Sequence, residues 1–220
     1  FTSGGTEANN TVIKGVFGTL RNGTLPGKSP TTLKGPGHII TTLIEHESIL
    51  GACTQIEHAC GAITRLSAGR DGRVDPAAVQ AALRPDTLLI SVMHANNETG
   101  VVQPIRKIAV LARQAGVLFH TDAVQSAGKL SIDVNEIDCD FLSLTAHKIN
   151  GPKGAGALYC RHPGLLLPLI FGGDQERGQR AGTEGTHQIV GFGTACELAA
   201  GRGNAELDRL RSLRETLIQG

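Results

Sequence analysis

Six short runs rich in aliphatic and β-branched residues, at 38–42, 62–67, 87–93, 117–121, 141–144 and 155–160, alternate with longer amphipathic stretches, and this alternation constrains the chain more than any other feature. Strands that run in the same direction need long crossovers, which helices supply. The pattern therefore predicts an α/β fold: a mainly parallel sheet covered by helices on both faces. Proline suits the first position of a helix, so helices are expected to start at Asp75-Pro76 and at Gln103-Pro104, the second stopping at Gly116. Ile105, Ile108, Ala109, Leu111 and Ala112 would form the buried stripe of that second helix. The stretch 21–37, rich in Gly, Pro, Thr and Lys, reads as a long surface loop. Near the end, Leu207, Leu210, Leu213 and Leu217 recur at helical spacing and read as a core-facing stripe.

With 220 residues and 40% hydrophobic content, the chain can bury the core of one large domain plus a short extension, here divided as 1–202 and a closing helix at 203–220. It opens on a glycine-rich motif and closes inside a helical pattern, so a fragment is expected, with exposed apolar surface and poor solubility. Twenty-one Lys and Arg against twenty Asp and Glu give a net charge of +1, with no basic stripe interleaved with aromatics, which argues against a nucleic-acid partner. No apolar run approaches the roughly 20 residues that span a bilayer, and Phe1-Thr2-Ser3-Gly4-Gly5 lacks the basic start of a signal peptide. A soluble, unsecreted protein without a membrane partner is expected. The five cysteines are odd in number and widely spaced, which disfavours both a disulfide framework and a metal site. Cys139 and Cys160 fall in expected strands, Cys196 in a helix, and Cys53 and Cys60 on a helix and its end. All five read as small buried hydrophobes.

In an open α/β sheet ligands sit beyond the carboxyl ends of the strands. The residues that follow four of the runs are rich in chemistry: Glu45-His46-Glu47; His94-Ala95-Asn96-Asn97-Glu98-Thr99-Gly100; Asp122-Ala123-Val124-Gln125; and Thr145-Ala146-His147-Lys148. Ser3-Gly4-Gly5-Thr6 precedes an amphipathic run, an arrangement that offers free N–H groups, a helix dipole and the Thr6 hydroxyl to a phosphate. It is not a Gly-x-Gly-x-x-Gly or P-loop motif, which disfavours a dinucleotide or nucleoside triphosphate. Lys148 follows a hydroxyl and an imidazole and precedes Gly151-Pro152-Lys153-Gly154. As an imine-forming amine it must be available uncharged, although a free lysine has a pKa of about 10.4, so its pocket would have to desolvate it or surround it with positive charge. Asp122 suits a carboxylate that keeps a ring nitrogen protonated, or a plain helix cap. His46 suits a stacking and proton-transfer group, or a plain helix-start residue.

Together the motifs resemble the pyridoxal-phosphate (PLP) dependent cysteine desulfurases of the fold-type I, class V aminotransferase group, and the similar selenocysteine lyases. Phe1-Thr2-Ser3-Gly4-Gly5-Thr6-Glu7, Glu45-His46, Met93-His94-Ala95-Asn96-Asn97-Glu98-Thr99-Gly100, His120-Thr121-Asp122-Ala123-Val124-Gln125 and His147-Lys148-Ile149-Asn150-Gly151-Pro152-Lys153-Gly154 stand in the family's order. So does 172–183, with Arg180-Ala181-Gly182-Thr183. The resemblance implies the large domain of a PLP-dependent transferase lacking most of the small domain, with pyridoxal 5'-phosphate held on Lys148 as a Schiff base. It further implies that Asp122 pairs with the pyridine nitrogen, that His46 stacks on the ring and assists proton transfer, and that Asn97 and Gln125 lie near the phenolic oxygen. Gly5, Thr6, Thr145 and His147 would hold the phosphate, and Thr183 would reach the phosphate of a partner subunit in a homodimer. The implied reaction converts L-cysteine to L-alanine and passes sulfur to an enzyme cysteine as persulfide. That cysteine and the arginine for the substrate carboxylate lie, in the family, downstream of the region matched. A sulfur-acceptor or iron–sulfur scaffold protein is the implied partner, and the cytoplasm, or the mitochondrion in a eukaryote, the implied location. Selenocysteine lyase or another class V reaction is a second reading, and a non-catalytic PLP-binding or dimerising domain a third.

Overall fold

The computed structural model describes residues 1–21, 35–162 and 164–220, so most of the expected surface loop at 21–37 lies outside the described residues. In chain order the elements are α1 (Gly5–Arg21), β1 (His38–Thr42), α2 (Glu47–His58), β2 (Ala62–Leu66), α3 (Pro76–Ala81), β3 (Thr87–Ser91), α4 (Ile105–Ala115), β4 (Leu118–Asp122), α5 (Val134–Ile137), β5 (Phe141–Thr145), β6 (Gly156–Cys160) and α6 (Thr186–Gln219). The strands form one sheet in the order β2-β1-β3-β4-β5-β6, parallel throughout except for the last pair, β5 with β6. The expected mainly parallel sheet is therefore present, and each of the six runs is a strand.

Neighbouring residues on a strand point to opposite faces, and the sequence places an apolar residue at both. Ile39, Leu89 and Phe141 pack against Val12, Ile13 and Val16 of α1 and Ile49, Ala52 and Ile56 of α2. Their neighbours Ile40, Ile90 and Leu142 join Phe119 on the other face, against Ile105, Ile108, Ala109 and Ala112 of α4. Each such fully buried side chain contributes about 1.5–3 kcal/mol relative to exposure. Helix ends follow the sequence closely. The Asp75 carboxylate caps α3 by accepting from Ala77 N–H at 2.8 Å, with Pro76 as the first helical residue. Pro104 stands one position earlier than expected, at the cap of α4, and Leu111 is only partly buried. Gly116 ends that helix at φ 66°, a conformation that costs a residue with Cβ.

Two histidines inside the sheet are held by hydroxyls on adjacent strands. His38 lies between Thr87 and Thr64, at 2.9 Å from each, and His120 between Ser91 at 2.8 Å and Ser143 at 3.0 Å. Burial pushes the His120 imidazole down to about 3, so it stays neutral.

α6 is continuous over 34 residues and runs through the expected boundary at 202/203. Its start is anchored by Phe192, packed with Ala146 and Ala155, and by Ala195. From residue 196 onward none of its described residues is buried. Leu210, Leu213 and Leu217 are 43%, 54% and 84% exposed, so the expected core-facing stripe is not covered by the described residues. The cysteines also divide. Cys53 and Cys139 are buried and Cys160 partly so, but Cys196 faces solvent on α6, and Cys60, in a left-handed turn after α2, is exposed. Cys139 lies just ahead of β5 rather than within it.

Candidate active site

The strand order changes direction beside β1, because the chain goes out to β2 and returns to β3 on the other side. Crevices form at such switch points, outside the carboxyl ends of the strands. A cavity of about 350 Å³ lies there. β1 leads to His46, β3 ends beside Met93 and leads to Asn97, β4 supplies Asp122 and leads to Val124 and Gln125, and β5 supplies Thr145 and leads to His147 and Lys148. The start of α1 adds Gly5, Thr6 and Asn9. Every candidate residue except Thr183 thus borders one cleft. Its floor, with Asn9, Ser48, Asp122 and Thr145, is buried, whereas Thr6, His46, Asn97, His147 and Lys148 form an exposed rim.

At one end the N-terminus of α1 opens into the cleft. Gly5 permits close approach there, since a Cβ on it would stand 2.7 Å from Val124 Cγ2, and Gly4 takes a φ of 152° that favours glycine. The Thr145 hydroxyl sits nearby, donating to Ala155 O at 3.2 Å and lying 3.0 Å from His147 Nδ1. Free helix N–H groups, two hydroxyls and an imidazole on one side of a cavity make an anion-binding end. Desolvation, then the charges of Lys148 and Lys153, lower the His147 pKa.

Asp122 forms the middle of the floor. Its Oδ1 accepts from Val124 N–H at 2.9 Å and its Oδ2 from Asn9 Nδ2 at 2.7 Å. Burial raises its pKa, partly opposed by these two bonds and by the His46 charge. A buried acid with two neutral donors is a site that a cationic N–H completes. His46 is the N-cap of α2, its Nδ1 accepting from Ser48 N–H at 3.1 Å, so the helix-start and cleft roles coincide in one side chain. Lys148 follows β5 in a short 3-10 turn, Ala146–Ile149, and is exposed on the rim; of the two expected surroundings, burial is absent among the described residues, while a second positive charge, Lys129, is close enough to interact. Its charge reaches Lys129, whose pKa burial lowers first and Lys148 lowers further.

Beneath the rim lies a carboxyl that the motif reading quoted without a role. Glu45 is buried, its Oε1 accepts from Met93 N–H and the Thr42 hydroxyl, each at 2.9 Å, and its Oε2 has no partner. Burial pushes its pKa up to about 8. Asn9 and Ser48 were missed altogether. The available signal was a polar residue at position 9 on the stripe that continues as Val12 and Val16, and a hydroxyl two residues after His46 in the first turn of α2. Thr183 borders a second cavity with Gly182, Glu184 and Arg180, whose guanidinium binds Glu7 at 3.0 Å.

Residues 1–219 match the family described as Aminotransferase class-V. The chain is 46% identical over 219 residues to cysteine desulfurase IscS of Dictyoglomus turgidum and 47% identical over 222 residues to that of Pectobacterium carotovorum, in each case across 100% of this chain and 52% of the relative. It thus spans about half the length of the curated relatives it matches. Among solved structures, a NifS-like protein superposes with a TM-score of 0.90 at 32% identity, over 99% of this chain and 57% of the other. A structure described as SspA in complex with cysteine gives 0.80 at 44% identity, over 89% and 54%.

Proposed function

The chain belongs to the class V aminotransferase family, and from that premise we propose that it is the cofactor-binding part of a PLP-dependent cysteine desulfurase, acting on L-cysteine. The observation that carries the reading is the cleft itself: anion-binding end, buried acid and primary amine border one cavity of about 350 Å³, a size suited to a small cofactor. These residues fit the group. Thr6, Thr145, His147 and the N–H groups at Gly5 would hold its phosphate, Asp122 its ring nitrogen as N–H⁺, Asn97 and Gln125 its phenolic side, and Lys148 its aldehyde carbon as a Schiff base.

When bound, PLP supplies an electron sink conjugated to the substrate's amine. The chain's own residues do the rest. Asp122, held in place by Val124 and Asn9, would keep a proton on the ring nitrogen. Lys148 would be available as a base for the substrate Cα proton, and His46, bordering the same cleft, would offer a ring face and an N–H. None of the five cysteines borders the cleft, and burial pushes the Cys53 and Cys139 thiols up to about 12 and about 11. The thiolate that takes the substrate sulfur is therefore assigned to a part of the enzyme outside these 220 residues. A homodimer in which Thr183 serves the partner's phosphate site accounts for its place outside this cleft, and a sulfur-acceptor or iron–sulfur scaffold protein would receive the product sulfur. The cytoplasm is the proposed location; among the described residues no helix is long and apolar enough to cross a membrane.

The test is to mix the purified chain with PLP, record its visible spectrum, reduce with borohydride and locate the modified lysine by mass spectrometry. Label on Lys148, absent from Lys148→Ala, is expected. A folded chain that takes up no label, or takes it elsewhere, overturns the assignment.

A further inference from the structure

Two of the segments that line the cleft are tied to each other at two points. The segment between β1 and α2 carries His46, and the segment between β3 and α4 carries Met93 and Asn97. Glu45 Oε1 accepts from Met93 N–H, and Asn96 Nδ2 donates to Ile44 O, each at 2.9 Å. These links span 48 and 52 residues of sequence, so only the tertiary fold brings them together. Both linking side chains are buried, and each is followed directly by a residue that lines the cavity: Glu45 by His46, Asn96 by Asn97.

A backbone carbonyl can only accept, so the Asn96 NH₂ group faces Ile44. Its Oδ1 then accepts from Glu98 N–H at 3.1 Å, Thr99 N–H at 2.8 Å and the Thr99 hydroxyl at 3.0 Å, which folds the turn carrying Asn97 around it. A backbone N–H can only donate, so Glu45 Oε1 carries no proton, and the Thr42 hydroxyl donates to it as well at 2.9 Å. Glu45 Oε2 is buried with no partner among the described residues. A bare carboxylate oxygen in that place costs far more than a neutral hydroxyl. Two titratable groups on the surrounding elements interact with Glu45, Asp122 of β4 and Cys53 of α2, and neither is a cation. The adjoining His46 turns its Nδ1 to the Ser48 N–H. Burial thus pushes the Glu45 carboxyl up to about 8, and the Asp122 charge adds to the rise that its two hydrogen bonds oppose.

We propose that Glu45 and Asn96 are positioning residues that clamp the His46 segment to the Met93–Asn97 segment, and that Glu45 does so as an uncharged carboxylic acid. The clamp follows from the hydrogen bonds alone; its use in shaping a cofactor site rests on the PLP reading. A neutral Glu45 serves that site in a second way. Asp122 is the only carboxyl among the described residues that line the cavity, and an uncharged neighbour leaves it as the one negative charge offered to a cationic N–H. Glutamine is the informative replacement at Glu45, because its carbonyl keeps the acceptor for Met93 N–H and Thr42 while it cannot ionise. Leucine keeps most of the volume and removes the acceptor. At position 96, aspartate keeps the oxygen that holds the turn and removes the donor to Ile44.

Met93 is the only methionine in the chain, so ¹⁵N-methionine labelling gives a single backbone amide signal, from the very N–H that Glu45 accepts. In the cofactor-free chain this signal should move with pH around a midpoint near 8, and Glu45→Gln should hold it still. A midpoint in the ordinary carboxylate range, a flat signal, or the same titration in Glu45→Gln overturns the uncharged acid. Hydrogen exchange of the same amide at pH 6.5 reads the clamp. Glu45→Leu and Asn96→Asp should each exchange about tenfold faster or more, with Glu45→Gln close to native. If one of the two fails to fold, the other makes the comparison; native exchange in a folded variant overturns the clamp. Titration of PLP into the same samples gives the functional half. Because folded chains are compared, lost stability alone leaves affinity unchanged, whereas a lost clamp should weaken binding about tenfold or more in Glu45→Leu and Asn96→Asp and spare Glu45→Gln. Unchanged affinity in those variants, or equal losses in Glu45→Gln and Glu45→Leu, overturns the positioning role. A native chain that shows the titration and the exchange pattern yet binds no PLP supports the clamp and overturns the cofactor reading; one that binds PLP without them does the reverse.

Discussion

The floor of the cleft is tied together across several elements, whereas the distal half of α6, though its leucines recur at regular spacing, has no buried residue among those described. Asp122, Asn9, Ser48 and Glu45 each have partners on another element, and those contacts cross up to 113 residues of sequence. Leu210, Leu213 and Leu217 share one helix and are covered by none of the described residues. Helical spacing makes a stripe, but only a second surface makes a core. Stability in this chain is therefore concentrated in the sheet and its two helical layers, and the site draws on it.

That contrast can be broken by substitutions on either side. Phe119→Ala removes a fully buried ring beneath the cleft and should cost about 3–5 kcal/mol in urea unfolding, whereas a loss near zero would mean that the core under the site is loose. Glu45 should give the next largest effect. The folded chain keeps its proton up to about pH 8, whereas an unfolded glutamate releases it near 4.5, so folding stability falls as pH rises between these values. Glu45→Gln removes that slope. Its advantage over the native chain should grow by about 1.4 kcal/mol per pH unit from pH 6.5 to 8. The comparison is best made above pH 6.5, because below it His120, held neutral down to about 3, makes stability fall with falling pH instead. Parallel curves for the two proteins would show that Glu45 is ionised in the fold.

Arg180→Gln should cost about 1 kcal/mol or less, since the pair with Glu7 is partly solvated. Burial raises the Glu7 pKa, but hydrogen bonds from Arg180 and Ser3 outweigh it and leave it lowered. The contribution is thus present at neutral pH and lost as the solution is acidified through the carboxylate range; a loss that does not fade in acid would assign it to packing. Smallest of all, Leu213→Gln on α6 should change stability by less than about 0.5 kcal/mol while reducing self-association measured by light scattering. A cost of 2 kcal/mol or more would show that this leucine is covered in solution.

The same contrast governs what the sequence made legible. Strands and caps were readable because their signals are local: apolar pairs such as Ile39-Ile40, the Asp75-Pro76 start and the Gly116 stop each act within a few residues. That His46, Asp122 and Lys148 border one cleft was readable because each stands at or just beyond a strand end, where the fold class alone predicts a ligand edge. Asn9 and Ser48 were not, since nothing near them in sequence names Asp122 or His46 as a partner. The leucines of α6 failed for the complementary reason, as their spacing reports a helix and is silent on whether anything covers it. Likewise Cys60 and Cys196 follow the usual preference of cysteine for the interior only where a neighbour exists to bury them.

After β3, every strand joins the sheet beside the one made just before it, so the growing edge is always the newest strand. A chain emerging from the ribosome amino end first can extend such a sheet in the order of synthesis, without waiting for a later strand to be inserted between earlier ones. α1 and β1 bring Asn9, His46 and Ser48, β4 brings Asp122, and Lys148 arrives only after β5 has docked. The Lys148 amine is thus expected to be the last charged group of the cleft lining to take its place, entering a cleft whose Asp122 and His46 are already set.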